Sequence, residues 1–240
     1  MARSIHPNQS VDLCRFATAG SVDDGKSTLI GRLLYETDGV YEDQLEAVKN
    51  ASEKQGKGFV DLSLLTDGLA AEREQGITID VAYRYFATPR RRFIIADVPG
   101  HEQYTRNMVS GASTADAVII LVDVERGVLP QTRRHLYLAR LMRIPHIAIA
   151  VNKMDVLGYD EERFTAVREQ LVACAHTLGI DGLAVIPVSA LKGDMVVSRG
   201  ANMDWCTGKT VLEFLETIPL AHEAPHAELG MPVQHVLRPT

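Results

Sequence analysis

The chain has 240 residues and carries 25 Lys+Arg against 31 Asp+Glu, a net charge of −6 that excludes a generic binder of polyanions such as nucleic acid. Its apolar fraction of 46% and charged fraction of 23% suit one folded core and exclude long disorder, a collagen-like repeat or a coiled-coil rod. The longest apolar run, near Ala117 to Val122, falls far short of the roughly 18 residues a spanning helix needs, so no membrane segment is expected. The opening MARSIHPNQSVD has no apolar signal core, and Cys14, Cys174 and Cys206 are odd in number and far apart. A cytoplasmic setting without disulfides or a zinc ribbon is expected.

Along the chain, short β-branched runs alternate with helical patterns, the rhythm of an α/β domain. A strand is predicted at Leu13 to Ala19, with a helix opening at Lys26 or Ser27. The stretch from Tyr35 to Gly76, rich in Glu, Gln, Lys and Gly, is too long for an ordinary connection and is a candidate for movement. Strands at Val81 to Ala87 and at Phe93 to Asp97, joined by a short turn containing Pro89, predict one antiparallel edge hairpin. Further strands follow at Ala117 to Asp123, Ile147 to Asn152 and Ala184 to Val188, apolar enough to be buried on both faces. Helices are predicted at Glu102 to Gly111, Gln131 to Met142, Asp160 to Thr177 and Val211 to Thr217. After Thr217 the composition shifts to Pro and His, and Pro232 to Leu237 reads as a lone strand. The chain is then either one domain cut from a longer protein or a domain with a short tail.

The first chemical signal is Gly20-Ser21-Val22-Asp23-Asp24-Gly25-Lys26-Ser27, followed by Thr28, which fits G-x-x-x-x-G-K-[ST] between a strand and a helix. Glycines let several backbone N–H groups converge on one phosphate, and the helix N-terminus adds its positive end. Lys26 is expected on the β- and γ-phosphates, and the Ser27 hydroxyl on Mg²⁺. Asp97, in Asp97-Val98-Pro99-Gly100, ends an apolar strand where a carboxylate faces the phosphate crevice, so it is expected to help hold Mg²⁺. The N–H of Gly100 would sense a γ-phosphate.

Asn152-Lys153-Met154-Asp155 selects the base. A carboxylate at Asp155 can accept from both N1–H and the 2-amino group of guanine, a donor pair adenine lacks, while Lys153 covers the ring face. Ser189, Ala190 and Leu191, in Ser189-Ala190-Leu191-Lys192, would bring a backbone N–H to guanine O6. Thr78 could supply another Mg²⁺ ligand, and His101, next to Gly100, could orient a water toward the γ-phosphate. Two other matches are decoys. Pro225 breaks the helix that His222-Glu223-Ala224-Pro225-His226 would need for zinc, and Gly208-Lys209-Thr210 lacks its first glycine and reads as a helix start.

With these residues, and with Asp67-Gly68-Leu69, Ala71 to Phe86 and Gly100 to Met108, the chain resembles the translation-factor class of GTPases. Within that class it resembles the large, GTP-hydrolysing subunits of bacterial sulfate adenylyltransferases. Elongation factors usually carry His where Ser21 stands, whereas Ser21 and Asp24 match the sulfate-activating family. Val98 and Met195 depart from the family's usual Thr and Asn, and neither removes a ligand.

The resemblance implies a P-loop GTPase domain with a mostly parallel six-stranded sheet, one antiparallel edge strand and helices on both faces. It implies GTP as substrate with Mg²⁺, and His101, Lys26 and Thr78 as the catalytic residues, with Val22 and Ile77 as an apolar gate before His101. It also implies a small adenylyl-transferring partner subunit, in some members a fused adenylylsulfate kinase, and neither nucleic acid nor membrane as a partner. Residues 1–222 would be the GTP-binding domain, and 223–240 a linker with the start of a truncated β-barrel domain. Two other classes compete: an elongation-factor-like translation GTPase, and a pseudo-GTPase scaffold.

Overall fold

A computed structural model describes residues 12–54, 56, 60–66, 81–99 and 105–220. Six strands form one sheet: β1 (Leu13–Gly20), β2 (Ala82–Ala87), β3 (Arg92–Asp97), β4 (Ala117–Asp123), β5 (His146–Asn152) and β6 (Ala184–Pro187). Their order is β2-β3-β1-β4-β5-β6, with β2 antiparallel to β3 and every other neighbour parallel. The expected edge hairpin and parallel body are both present. The described helices are α1 (Lys26–Glu36), α2 (Glu42–Lys54), α3 (Thr105–Ala112), α4 (Pro130–Leu141), α5 (Glu161–Thr177) and α6 (Val211–Thr217).

Parallel strands need long crossovers, and the helices that supply them cover the sheet, so its middle is dry. All of β4 is buried, as is β5 beyond His146. Phe16, Phe86 and Phe93 meet on one face of β1, β2 and β3, the last two stacked with ring centroids 4.6 Å apart. Such contacts add about 0.5–1.5 kcal/mol per pair beyond simple burial.

Helix ends follow local chemistry. Asp160 is the cap of α5 rather than its first turn, accepting from the N–H groups of Glu162 at 2.8 Å and Arg163 at 3.1 Å. Helix α4 starts one residue earlier than expected because Pro130 suits a first turn that needs no N–H. At Gly208-Lys209-Thr210 a helix does start: Thr210 and Glu213 close a reciprocal capping box at α6. The start predicted for α3 at Glu102, the lone strand at 232–237 and the His222 to His226 decoy lie outside the described residues.

The stretch from Tyr35 to Gly76 is partly regular. Its described residues contain α2 and a 3-10 turn at Leu62–Leu65 packed on α1. Gly31, inside α1, lies so close to the Leu62 carbonyl that a Cβ there would collide with it. Composition concealed α2 because Val48 and Ser52 are its buried residues, too thin a stripe to show helical periodicity.

Chain direction places the site. From β1 the chain passes to β2 and β3 on one side and then to β4 on the other, so a crevice opens at the carboxyl ends of the strands. Gly20, Asp97, Asp123, Asn152 and Pro187 stand along that edge.

Candidate nucleotide-binding site

The loop from Gly20 to Gly25 leaves β1 and enters α1 through two left-handed residues, Asp23 at φ 69° and Gly25 at φ 92°. That alternation turns successive N–H groups inward, the geometry of an anion nest. Gly25 has to be glycine: besides its φ, the Asn152 side-chain amide occupies the place of a Cβ. No side chain caps the N-terminus of α1, so its first N–H groups and positive dipole end face the loop.

Lys26 is buried at 8% exposure, and its ammonium donates to the carbonyls of Gly20 at 3.0 Å and Ser21 at 3.2 Å. Two of its three donors are thereby spent, leaving a third for a ligand oxygen. Burial lowers its pKa, and the carboxylates of Asp97, Asp24 and Asp23 counter that shift. Asp24 shapes the loop instead of facing outward: its Oδ2 accepts from Ser21 N–H at 2.7 Å and its Oδ1 lies 3.8 Å from Arg126 Nη1. Burial raises the Asp24 pKa, opposed by the Ser21 N–H, Lys26 and Arg126. Arg126 also donates to the Val22 carbonyl at 3.1 Å.

Asp97 pairs in register with Thr18, whose hydroxyl donates to Asp97 Oδ1 at 3.2 Å. Ser27, in the first turn of α1, and Asp97 offer hard oxygen donors of the kind Mg²⁺ takes beside substrate phosphates. Among the described residues there is no group of three His, Cys, Asp or Glu side chains that could hold a metal ion. Thr28 follows in the same turn of α1. Thr78, Ile77, Gly100 and His101 lie outside the described residues.

At the end of β5, Asn152 is a strut. Its Nδ2 donates to the Asp24 carbonyl at 2.8 Å and its Oδ1 accepts from Ala190 N–H at 3.0 Å, tying phosphate loop, β5 and the Ser189–Lys192 loop together. Lys153 is left-handed at φ 66°, and its ammonium meets the buried Asp123 carboxylate at 2.7 Å. Asp155 is oriented by Ser189, whose hydroxyl donates to Asp155 Oδ1 at 2.6 Å and accepts from Lys192 N–H at 3.1 Å. The described motif residues thus converge on one edge of the sheet. Thr18, Asp123 and Arg126 do not stand out in the sequence; a carboxylate closing an apolar strand, as at Asp123, is the one local signal available.

Residues 12–221 match the family described as Elongation factor Tu GTP binding domain. The chain belongs to this GTP-binding family. It is 56% identical over 227 residues to the bifunctional enzyme CysN/CysC of Mycobacterium tuberculosis (strain H37Rv), covering 95% of this chain and 37% of that protein. It is 55% identical over 234 residues to sulfate adenylyltransferase subunit 1 of Cellvibrio japonicus, covering 97% of this chain and 50% of that one. The chain therefore spans half or less of the curated relatives it matches. Among solved structures, bacterial selenocysteine-specific elongation factor EF-Sec superposes with a TM-score of 0.59 at 33% identity, covering 76% of this chain and 26% of that one. Sup35 complexed with GDP gives 0.62 at 27%, covering 87% and 45%. The P-loop GTPase fold expected from sequence is the fold of this chain.

Proposed function

We propose that this chain is the GTP-binding and GTP-hydrolysing domain of a sulfate adenylyltransferase large subunit, in which hydrolysis drives formation of adenylyl sulfate and pyrophosphate from ATP and sulfate. The observation carrying this reading is 55% identity over 97% of the chain to a protein named sulfate adenylyltransferase subunit 1. Ser21 and Asp24 add to it, since they match the sulfate-activating family, whereas elongation factors usually carry His where Ser21 stands.

In this reading the loop N–H groups, the α1 N-terminus and Lys26 bind the phosphates and stabilise charge that develops on them. Ser27, Asp97 and Thr78 hold Mg²⁺, which neutralises β- and γ-phosphate charge when bound. Gly100 senses the γ-phosphate and His101 positions the attacking water, behind the gate of Val22 and Ile77. Asp155, set by Ser189, accepts from the guanine N1–H and 2-amino group; Lys153 covers the ring face, and the loop of Ser189, Ala190 and Leu191 brings a backbone N–H to guanine O6. Asn152 supports the base site as a strut.

The partner is a small subunit that performs adenylyl transfer, and a fused adenylylsulfate kinase domain is a further partner in some relatives. Residues 1–222 are the GTP-binding domain and 223–240 lead into a β-barrel domain, in a protein of the cytoplasm. No described helix is long and apolar enough to cross a membrane.

Alone, the protein should hydrolyse GTP at about 10⁻⁴–10⁻² per second, as unassisted GTPases do. Phosphate release should rise at least tenfold when the small subunit, ATP and sulfate are all supplied; an unchanged rate with the complete system would falsify the assignment. The 33% identity to a selenocysteine-specific elongation factor favours a second reading, a translation GTPase, for which ribosomes rather than sulfate would accelerate release.

A further inference from the structure

The loop that is to read the base is braced from outside by a residue on α1. Arg32 Nε donates to the Ala190 carbonyl at 3.1 Å, Nη2 donates to the Leu191 carbonyl, and Nη1 pairs with Glu36 Oε1 at 3.4 Å. The planar fork of one guanidinium thus holds two successive carbonyls, which the single point of an ammonium cannot do.

In a trans peptide the C=O and the following N–H point in opposite directions. Holding the Ala190 carbonyl therefore turns the Leu191 N–H away from Arg32, and that N–H has no hydrogen-bond partner among the described residues. Holding the Leu191 carbonyl likewise turns the Lys192 N–H away, and it is found on Ser189 Oγ at 3.1 Å, the hydroxyl that orients Asp155. The neighbouring Ala190 N–H is committed to Asn152. Of the three N–H groups in this loop segment, Leu191's is the one left for a ligand acceptor.

We infer that Arg32 is a positioning residue for the nucleotide base: by fixing the Ala190–Leu191 peptide it aims the Leu191 N–H at the 6-oxygen of the purine. This rests on the guanine reading above and adds to it the residue that sets one of its two recognition edges. Arg32 lies six residues beyond Lys26 on one rigid helix, a rise of about 9 Å. The same element therefore carries the phosphate-binding ammonium and the brace of the base loop.

The test compares GDP, inosine diphosphate and 6-thioguanosine diphosphate binding to the wild-type protein, Arg32→Met and Arg32→Lys by calorimetry. Sulfur at position 6 is a poor acceptor, so the wild type should prefer GDP to the thio analogue about tenfold, the worth of one hydrogen bond. In Arg32→Met, GDP should bind about tenfold more weakly and that preference should fall to about one, because the N–H is no longer aimed. The preference for GDP over inosine diphosphate, which Asp155 sets through the 2-amino group, should fall less than the preference over the thio analogue, because the Ser189 hydroxyl still donates to Asp155 even where its Lys192 N–H partner shifts. Arg32→Lys, which can hold one carbonyl, should fall between. All three nucleotides weakening by a common factor would show a brace without a role in base reading and overturn the inference, as would unchanged binding in both variants. Should Arg32→Met fail to fold, an undiminished GDP over thio-analogue preference in Arg32→Lys overturns it by itself. Wild-type protein that binds no guanine nucleotide would instead remove the guanine reading and Arg32's role together.

Discussion

Asp155 and His135 show two ways in which one side chain's surroundings decide its chemistry. Asp155 receives the Ser189 hydroxyl on Oδ1, which leaves Oδ2 and the second lone pair of Oδ1 for the donor pair that the proposed guanine reading requires. Asp155→Asn turns an acceptor into a donor, so the protein should lose GTP affinity by about 10²-fold or more and gain it for xanthosine triphosphate, whose 2-position is a carbonyl. Competition between the two nucleotides measures this, and retained GTP preference would undo the base reading. His135 is buried on α4, and its pKa falls to about 3, first through burial and then through the charges of Lys26 and Arg134. Arg134 donates to Gln131 Oε1, which leaves the Gln131 amide nitrogen facing His135 Nε2 at 3.2 Å, so the ring is neutral with its proton on Nδ1. A folded-state pKa below the ordinary 6.5 makes the imidazole's contribution to stability complete above pH 6.5 and lost as pH falls through about 3. Urea unfolding across that range should show wild type losing on the order of 4 kcal/mol more than His135→Leu. Parallel pH profiles would contradict it.

Among the elements, α1 carries the heaviest load, touching the phosphate loop at its start, the 3-10 turn at Gly31 and the base loop at Arg32. Alanine normally favours a helix interior over glycine by about 1 kcal/mol. At residue 31 the sign should reverse: the new Cβ meets the Leu62 carbonyl, a backbone atom that cannot swing aside. Gly31→Ala should therefore destabilise by about 1–3 kcal/mol, read from the denaturant midpoint. A stabilised variant would mean that the 3-10 turn yields readily. Helix α6 is tied in by a different device. Arg91, 8% exposed, donates to the carbonyls of Leu215 at 2.8 Å and Ile218 at 3.0 Å, fastening the turn between β2 and β3 to the helix end. That contact joins residues more than 120 positions apart, which the short turn containing Pro89 does not reveal in sequence.

For the whole molecule, a ligand that binds the folded chain alone raises its stability by mass action. At about 100 times its Kd, GDP should add about 2.7 kcal/mol, a rise in melting temperature of roughly 5–10 °C for a chain of this size. ATP at the same concentration should leave the melting temperature unchanged, because its 6-amino group cannot replace the guanine contacts. A differential thermal scan decides it, and equal shifts would remove the nucleotide selectivity on which the functional reading depends.

The alternation of strands and helices, the glycine-rich loop and the Asn152-Lys153-Met154-Asp155 motif were legible in the linear chain because each is a short contiguous pattern: glycines for tight backbone, apolar runs for buried strands, polar residues where a strand ends. What the tertiary structure alone decided is how these pieces are braced. Arg32 reaches carbonyls 158 and 159 residues away, Arg126 closes a loop 104 residues before it, and Asn152 joins segments 128 residues apart. A hydrogen bond between distant residues leaves no periodicity or spacing to read, since its geometry exists once the sheet has brought the strand ends to one edge.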